Sequence, residues 1–157
     1  MKTPLEVLKL YAEHDYTLLG TFVSRMQRGP QRPFMVYEGH TWSWEAFHDA
    51  LLRTARVLAA RGIRQGDRVA VMARNNPGHP LMLFALARLG AIMVPVNPEF
   101  GVTEARYVLH HAGVAAVACS TETLAVAREA SSGVDPQPAQ LCYVRRGVRA
   151  AHLCPAR

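Results

Sequence analysis

Apolar positions along the chain follow two different periods, and the change from one to the other divides the sequence. Thr3, Pro4 and Glu6 have the spacing of a capping box with proline in the first helical turn, so a helix is predicted from there to about His14. Leu18, Phe22 and Met26 then recur at every fourth position with Leu19 and Val23 beside them, which predicts a second helix ended by Gly29 and Pro30. In "RPFMVYEGHTWSW" two short runs of branched and aromatic residues flank Glu38, Gly39 and His40, a hairpin pattern with those three residues at the turn. Ser43 caps a further helix, Trp44 to Arg61, whose Phe47, Leu51, Ala55 and Leu58 share one face. Its acids, Glu45 and Asp49, lie near the start and Arg53, Arg56 and Arg61 toward the end, as the helix dipole favours.

Beyond Gly62 strand and helix patterns alternate: strand Arg68–Ala73, helix His79–Leu89, strand Ala91–Val96, helix Thr103–His111, strand Val114–Cys119, helix Thr121–Ala130. Such alternation predicts a parallel sheet with right-handed crossovers. The helix segment "PLMLFALARL" is apolar nearly all round, so both of its sides need cover. Ala91–Val96 reads as a buried parallel strand whose ladder Pro95 and Pro98 end, at the carboxyl edge where α/β sheets bind ligands. From Ser131 the periodicity stops. The predicted fold class is therefore α/β: a partial layered domain with a mostly parallel sheet flanked by helices, preceded by N-terminal helices and a short hairpin. Residues 1–130 form that domain, and residues 131–157 are expected to be an unpatterned, disordered tail.

Length and composition narrow the picture further. A chain of 157 residues, half of them hydrophobic, is the size of one domain. The formal charge of +6 suggests nucleic acid until its distribution is considered: Arg145, Arg146, Arg149 and Arg157 account for four of it in a stretch without acids, and the rest of the chain carries +2. No basic stripe for nucleic acid is indicated. Leu81–Pro98 has Arg88 as its only charge, but Gly90, Pro95 and Pro98 break it into helix, turn and strand, so no transmembrane segment is predicted. The first 16 residues mix charges with leucines and lack the apolar run of a signal peptide, so the expected location is cytoplasmic. Cys119, Cys142 and Cys154 lie 23 and 12 residues apart, which fits neither a metal knuckle nor a redox pair, and they read as reduced thiols.

The search for chemistry ends without a centre. The two closest glycines, Gly62 and Gly66, precede Asp67, whose carboxylate would repel a phosphate. The first parallel strand runs into "RNNPGHP", which is no dinucleotide fingerprint, and carries no aspartate at its end for phosphoryl transfer. Ser24, Ser43 and Ser120 sit in no nucleophile elbow, and the seven histidines have no partnered acids at readable spacing; His110 and His111 belong to a helix end. The sequence therefore assigns no catalytic, cofactor-binding or metal-ligating residue.

The order of segments nevertheless carries a likeness. "HTWSWEAF", "RGIRQGDRVAVMARNNP" and "ARLGAIMVPVNPEF", in this order within His40–Ser120, resemble the N-terminal part of the adenylate-forming acyl-CoA synthetases, the AMP-dependent synthetase and ligase family. The first resembles the family's Thr-Tyr-x-Glu-Leu entry, with Trp42 and Trp44 as departures. The second matches a strand followed by an Asn-x-Pro loop, and the third a Leu-Gly-Ala strand ending in Val-Pro-x-Asn-Pro. The resemblance implies a ligase that joins a small carboxylic acid to a thiol through an acyl-adenylate, using ATP, Mg²⁺ and coenzyme A. It also implies that the phosphate-holding loop and the catalytic lysine lie beyond the matched segments, so the chain alone is expected to be inactive and to bind none of these cofactors tightly. The acid-free stretch after Ser131 reads either as an unintended frame of a GC-rich gene or as a biased flexible tail. The alternative to a ligase fragment is a stand-alone, non-catalytic α/β binding module built on the same scaffold.

Overall fold

The computed structural model describes residues 3–8, 10, 17–143 and 153–155. The capping box is formed. The Thr3 N–H donates to Glu6 Oε2 at 2.7 Å, and the Glu6 N–H donates to Thr3 Oγ1 at 3.4 Å, opening helix α1, Pro4–Leu8. The bond from the Thr3 N–H, and after it one from the Thr3 hydroxyl, which donates to Glu6 Oε2 at 3.0 Å, hold the Glu6 carboxyl below its ordinary range. Most of the predicted continuation to His14 lies outside the described residues. Helix α2, Leu18–Gln27, starts at Thr17, whose hydroxyl accepts from the Gly20 N–H at 2.9 Å.

Strands β1, Pro33–Tyr37, and β2, His40–Ser43, pair antiparallel with Tyr37 opposite His40. Only Glu38 and Gly39 remain for the turn, and both have positive φ, 47° and 76°, as a two-residue hairpin loop requires. His40 is thus the first strand residue and not part of the turn, as the sequence had suggested. Ser43 Oγ accepts from the Ala46 N–H at 3.1 Å and opens helix α3, Trp44–Ala60.

The rest alternates as predicted: β3 Arg68–Met72, α4 Gly78–Leu89, β4 Ile92–Val96, α5 Val102–Ala112, β5 Ala116–Cys119 and α6 Leu124–Ser131. Two strands follow, β6 Ala139–Tyr143 and β7 Leu153–Pro155. The sheet order is β4-β3-β5-β6-β7, in which the first four strands run parallel and β7 runs antiparallel to β6. From β3 the chain steps one way to β4 and then reverses past β3 to β5. With crossovers of one hand, that reversal puts helices on opposite faces. Accordingly Val69, Val71 and Ala73 pack with α3 and α4, while Ala70 and Met72 pack with α5 and α6.

Helix α4 finds cover on both sides. Met82, Ala85 and Leu86 meet the sheet and α3, whereas Leu81 and Phe84 join an aromatic cluster with Phe22, Phe34, Trp44 and Phe47 that binds α2 and the hairpin. Ring centroids there lie 4.5 Å apart for Phe34–Phe47 and 4.8 Å for Phe22–Phe84. Gly90 ends α4 at φ 68°, a conformation that favours glycine, and a Cβ there would displace the exposed Gln65 side chain, 2.9 Å away.

Two expectations are corrected. Strand β4, read as buried, is the edge of the sheet, and Ile92 is 51% exposed. An apolar run marks a strand that needs cover on its faces and says nothing of which strands stand beside it. The boundary drawn at residues 130/131 does not end the sheet either: Val134 is buried with α5 and α6, and β6 lies in register beside β5. A five-residue strand after two prolines is too short to show a period. The remainder of the expected tail, 144–152 and 156–157, lies outside the described residues.

Candidate functional site at the carboxyl edge of the sheet

The loops after β3 and β4 leave adjacent strands at the same edge, and both are built on Asn-Pro. Asn76 Oδ1 accepts from the Gly78 N–H at 2.8 Å, and Asn97 Oδ1 accepts from the Glu99 N–H at 3.0 Å. Each asparagine thus closes an Asx turn over the proline that follows it. Asn76 also donates from Nδ2 to the Arg74 carbonyl at 2.8 Å. Arg74 Nη2 meets Glu99 Oε1 at 2.6 Å, joining the two loops by an exposed ion pair of the kind that contributes about 0–1 kcal/mol.

Between the loops lies an open cleft of about 580 Å³, walled by Arg74, Asn75, His79, Pro95, Asn97 and Pro98. The Nδ1 atom of His79 is buried there with no hydrogen-bond partner among the described residues. Burial lowers the imidazole's affinity for a proton below the ordinary value, so the ring is neutral at pH 7. With Arg74 matched by Glu99, the cleft is polar and close to electrically neutral. It can hydrogen-bond a polar group, but among the described residues no carboxylate orients His79 as a base, and no nucleophile stands beside it.

Ser24, Ser43, Ser120 and His111, raised by the sequence, are accounted for locally. Ser24 donates to the Thr21 carbonyl at 3.0 Å, Ser43 caps α3, and Ser120 lies 3.3 Å from the Thr123 hydroxyl. Thr123 in turn donates to the Met72 carbonyl, so this buried pair closes the crevice between β3 and β5, the point where the strand order reverses. His111 stacks on Tyr107 on the surface of α5, with centroids 5.7 Å apart. Among the described residues no three His, Cys, Asp or Glu side chains could hold a metal ion together. The structure therefore gathers a cleft that sequence reasoning did not name. The signal was present, since Asn-Pro recurs after two successive strands, but it had been read only as a strand end.

The chain has counterparts among known proteins. The AMP-binding enzyme family matches residues 22–153. The chain belongs to this family. The match continues past Ser131, where the sequence pattern had been read to stop. Relatives of this AMP-binding chain include the fatty acid–[acyl-carrier-protein] ligase ScoC of Streptomyces coeruleorubidus, 31% identical over 105 residues, which is 67% of this chain and 20% of that protein. A crotonobetaine/carnitine–CoA ligase of Salmonella paratyphi A is 31% identical over 103 residues, covering 66% of this chain and 20% of that one. The AMP-binding chain thus spans about a fifth of the length of these curated relatives.

Solved structures agree on the fold. The fatty acyl CoA synthetase of Mycobacterium tuberculosis superposes with a TM-score of 0.72 at 22% identity, over 83% of this chain and 28% of that one. The o-succinylbenzoate CoA synthetase of Bacillus subtilis gives 0.69 at 23% identity, over 77% and 24%.

Proposed function

We propose that the chain is the N-terminal portion of an ATP-dependent, AMP-forming ligase that joins a carboxylic acid to a thiol, and that by itself it is inactive. The observation that carries this reading is the family match over residues 22–153 together with the fifth of its relatives' length that the chain spans. Its contribution to the whole enzyme is the layered scaffold and one polar wall at the carboxyl edge.

The residues at that wall do not fit the phosphates of ATP. A helix N-terminus holds an anion through free backbone N–H groups. At α4 the Gly78 N–H is given to Asn76 Oδ1, the His79 N–H to the Asn76 carbonyl and the Leu81 N–H to the Pro77 carbonyl, while position 80 is proline. Arg74, the cation at the cleft, is paired with Glu99. No step of the reaction is therefore assigned to these residues. Adenylation and the stabilisation of its charge belong, on this reading, to segments of the enzyme beyond this chain. A cytoplasmic location accords with a ligase that uses ATP and a thiol, and no helix among the described residues is long and apolar enough to cross a membrane.

The test has two arms. The purified chain, given ATP, Mg²⁺, labelled pyrophosphate and a panel of fatty and aromatic acids, is expected to exchange label at the enzyme-free background; exchange above it with any acid refutes inactivity. A chimera carrying this chain in place of the matching segment of a crotonobetaine/carnitine–CoA ligase should form thioester, where the ligase lacking that segment does not. Equal loss in both would count against the ligase reading. One observation favours the stand-alone binding module: helix α4 is covered on both sides from within the chain. A ligand-dependent rise in melting temperature from the chain alone, without exchange, would support that alternative.

A further inference from the structure

The small net charge of the chain before its last arginines is the balance of an uneven distribution: residues 50–98 hold seven arginines, no lysine and one acid, Asp67. Two of the seven are committed. Arg74 pairs with Glu99 at the carboxyl edge, and Arg68 donates from Nε and Nη2 to the Gly113 carbonyl at 3.3 and 3.1 Å, where α5 ends. The other five, Arg53, Arg56, Arg61, Arg64 and Arg88, are exposed.

The fold collects these five on one side. By helical period Arg53, Arg56 and Arg61 fall on the outer face of α3, opposite the buried Leu51, Ala55 and Leu58. Val57, 37% exposed, and the exposed Ala60 lie between them on that face. Arg64 follows in the next turn, where its N–H donates to Asp67 Oδ2 at 2.7 Å. The Gly66 N–H donates to the Gly90 carbonyl at 2.9 Å, which brings the end of α4, with Arg88 in its last turn, to the same corner. Among the described residues no ion pair joins Arg53, Arg56, Arg64 or Arg88 to an acid.

Helix dipoles explain only part of this. A dipole favours cations within the last turn, a condition that Arg88 meets, whereas α3 has no basic residue in its last turn and Arg53 and Arg56 lie before it. Nor is the ridge a track for a long polyanion. From Arg53 to Arg61 it runs about 12 Å, and the exposed Asp49 and Glu45 continue the same face just before it. A duplex or an anionic bilayer laid along α3 would meet those acids, and Val57 and Ala60 are too small to anchor the ridge in a bilayer. One helix of another protein fits better. Carboxylates three or four positions apart line one face of it, each planar guanidinium takes a carboxylate through two hydrogen bonds, and the small residues between the arginines allow close approach.

We propose that the outer face of α3, extended by Arg64 and Arg88, docks a carboxylate-lined helix of a second protein. The turn that carries Arg64 is separated from the loop after β3 by the five residues of that strand, about 17 Å, so docking leaves the cleft open.

The full chain is titrated into a fluorescein-labelled helical peptide of alanine and glutamate, its glutamates on one face, and binding is read by anisotropy. The chain is expected to bind the peptide, more weakly at about 0.15 M salt than at about 0.01 M, as the Debye length falls from about 30 to about 8 Å. Arg53→Gln with Arg56→Gln should weaken binding about 10-fold, and Arg64→Gln with Arg88→Gln at least about 3-fold. Arg25→Gln with Arg28→Gln removes the same charge from exposed positions on and just after α2 and should change binding less than about 2-fold. No binding of the peptide, or an equal loss in the α2 pair, would overturn the docking face. So would a phosphodiester oligonucleotide or phosphatidylserine vesicles that bind more tightly than the peptide with the same dependence on Arg53 and Arg56. A ligase chimera that forms thioester but no longer binds the peptide would show the face covered by the rest of the enzyme, which also overturns a second protein as its occupant. No ATP or acid enters the titration, so its failure is separate from failure of the ligase reading.

Discussion

Replacing Leu81 or Leu86 by alanine should weaken two different cores of the molecule and yet shift a single unfolding transition. Leu86 is fully buried against the sheet and α3, and Leu81 is 3% exposed within the aromatic cluster. Each change removes about three buried carbon groups at about 0.8 kcal/mol apiece. A residual cavity of about 40 Å³ adds about 1 kcal/mol at about 24 cal/mol per Å³. The sum is about 3.4 kcal/mol for either site, whereas Leu83→Ala, at a position 38% exposed, should cost about 1 kcal/mol or less. With a urea slope of about 2 kcal/mol/M, the buried substitutions move the midpoint down by about 1.7 M and Leu83→Ala by about 0.5 M. Both tryptophans lie in the aromatic cluster, so their fluorescence reports that core, while far-ultraviolet circular dichroism also reports the sheet. The two probes should move together in every variant, because α4 belongs to both cores. If Leu81→Ala lowers the fluorescence midpoint and leaves the dichroism midpoint in place, the cores are separate cooperative units and the reasoning fails.

Two further outcomes follow from the carboxyl edge and the open strand. The pKa of His79 is lowered by burial, so the unfolded chain binds more protons than the native one once pH drops below the ordinary histidine value of about 6.5; stability should be complete above that pH and decline as pH falls through it toward the depressed native value, and His79→Gln should flatten the decline in urea midpoints measured from pH 7.5 to 5. On β4 the Ile92 N–H bonds the Asp67 carbonyl on the β3 side, so by alternation the missing N–H of Pro95 falls on the open side; Pro95→Thr supplies a donor there and should increase self-association in sedimentation velocity, with an unchanged monomer refuting the edge-protection role.

The elements of this fold were legible because each carried its own local chemistry. Thr3 with Glu6 and Ser43 before Trp44 are caps that act within one turn, and the structure forms both. The strand–helix alternation from Arg68 to Ser131 could be read from period alone. What the sequence did not disclose depends on which elements become neighbours. Nothing in Ile92–Val96 says that no described strand pairs beyond it. The cleft was missed for the same reason: Asn76 and Asn97 are 21 positions apart, and only the β3–β4 register brings their loops together. His79 looked like one of seven unpartnered histidines until the loop after β3 buried its Nδ1.

The reversal of strand order has a consequence for the order in which the protein is made. By the time Val96 has left the ribosome, every member of the aromatic cluster and all of β3, α4 and β4 have been synthesised, so one face of the young sheet can close at once. The opposite face, with Ala70, Met72 and Val96, must wait for α5 and α6. At about 5–20 residues per second, synthesis from Val96 to Ser131 takes roughly 2–7 s. For that interval the nascent chain is two-faced: a finished side, a bare side, and beside β3 a vacant slot into which β5 has yet to be threaded. A chaperone that attends this protein during translation would find its substrate there, on the side that α5 and α6 later cover.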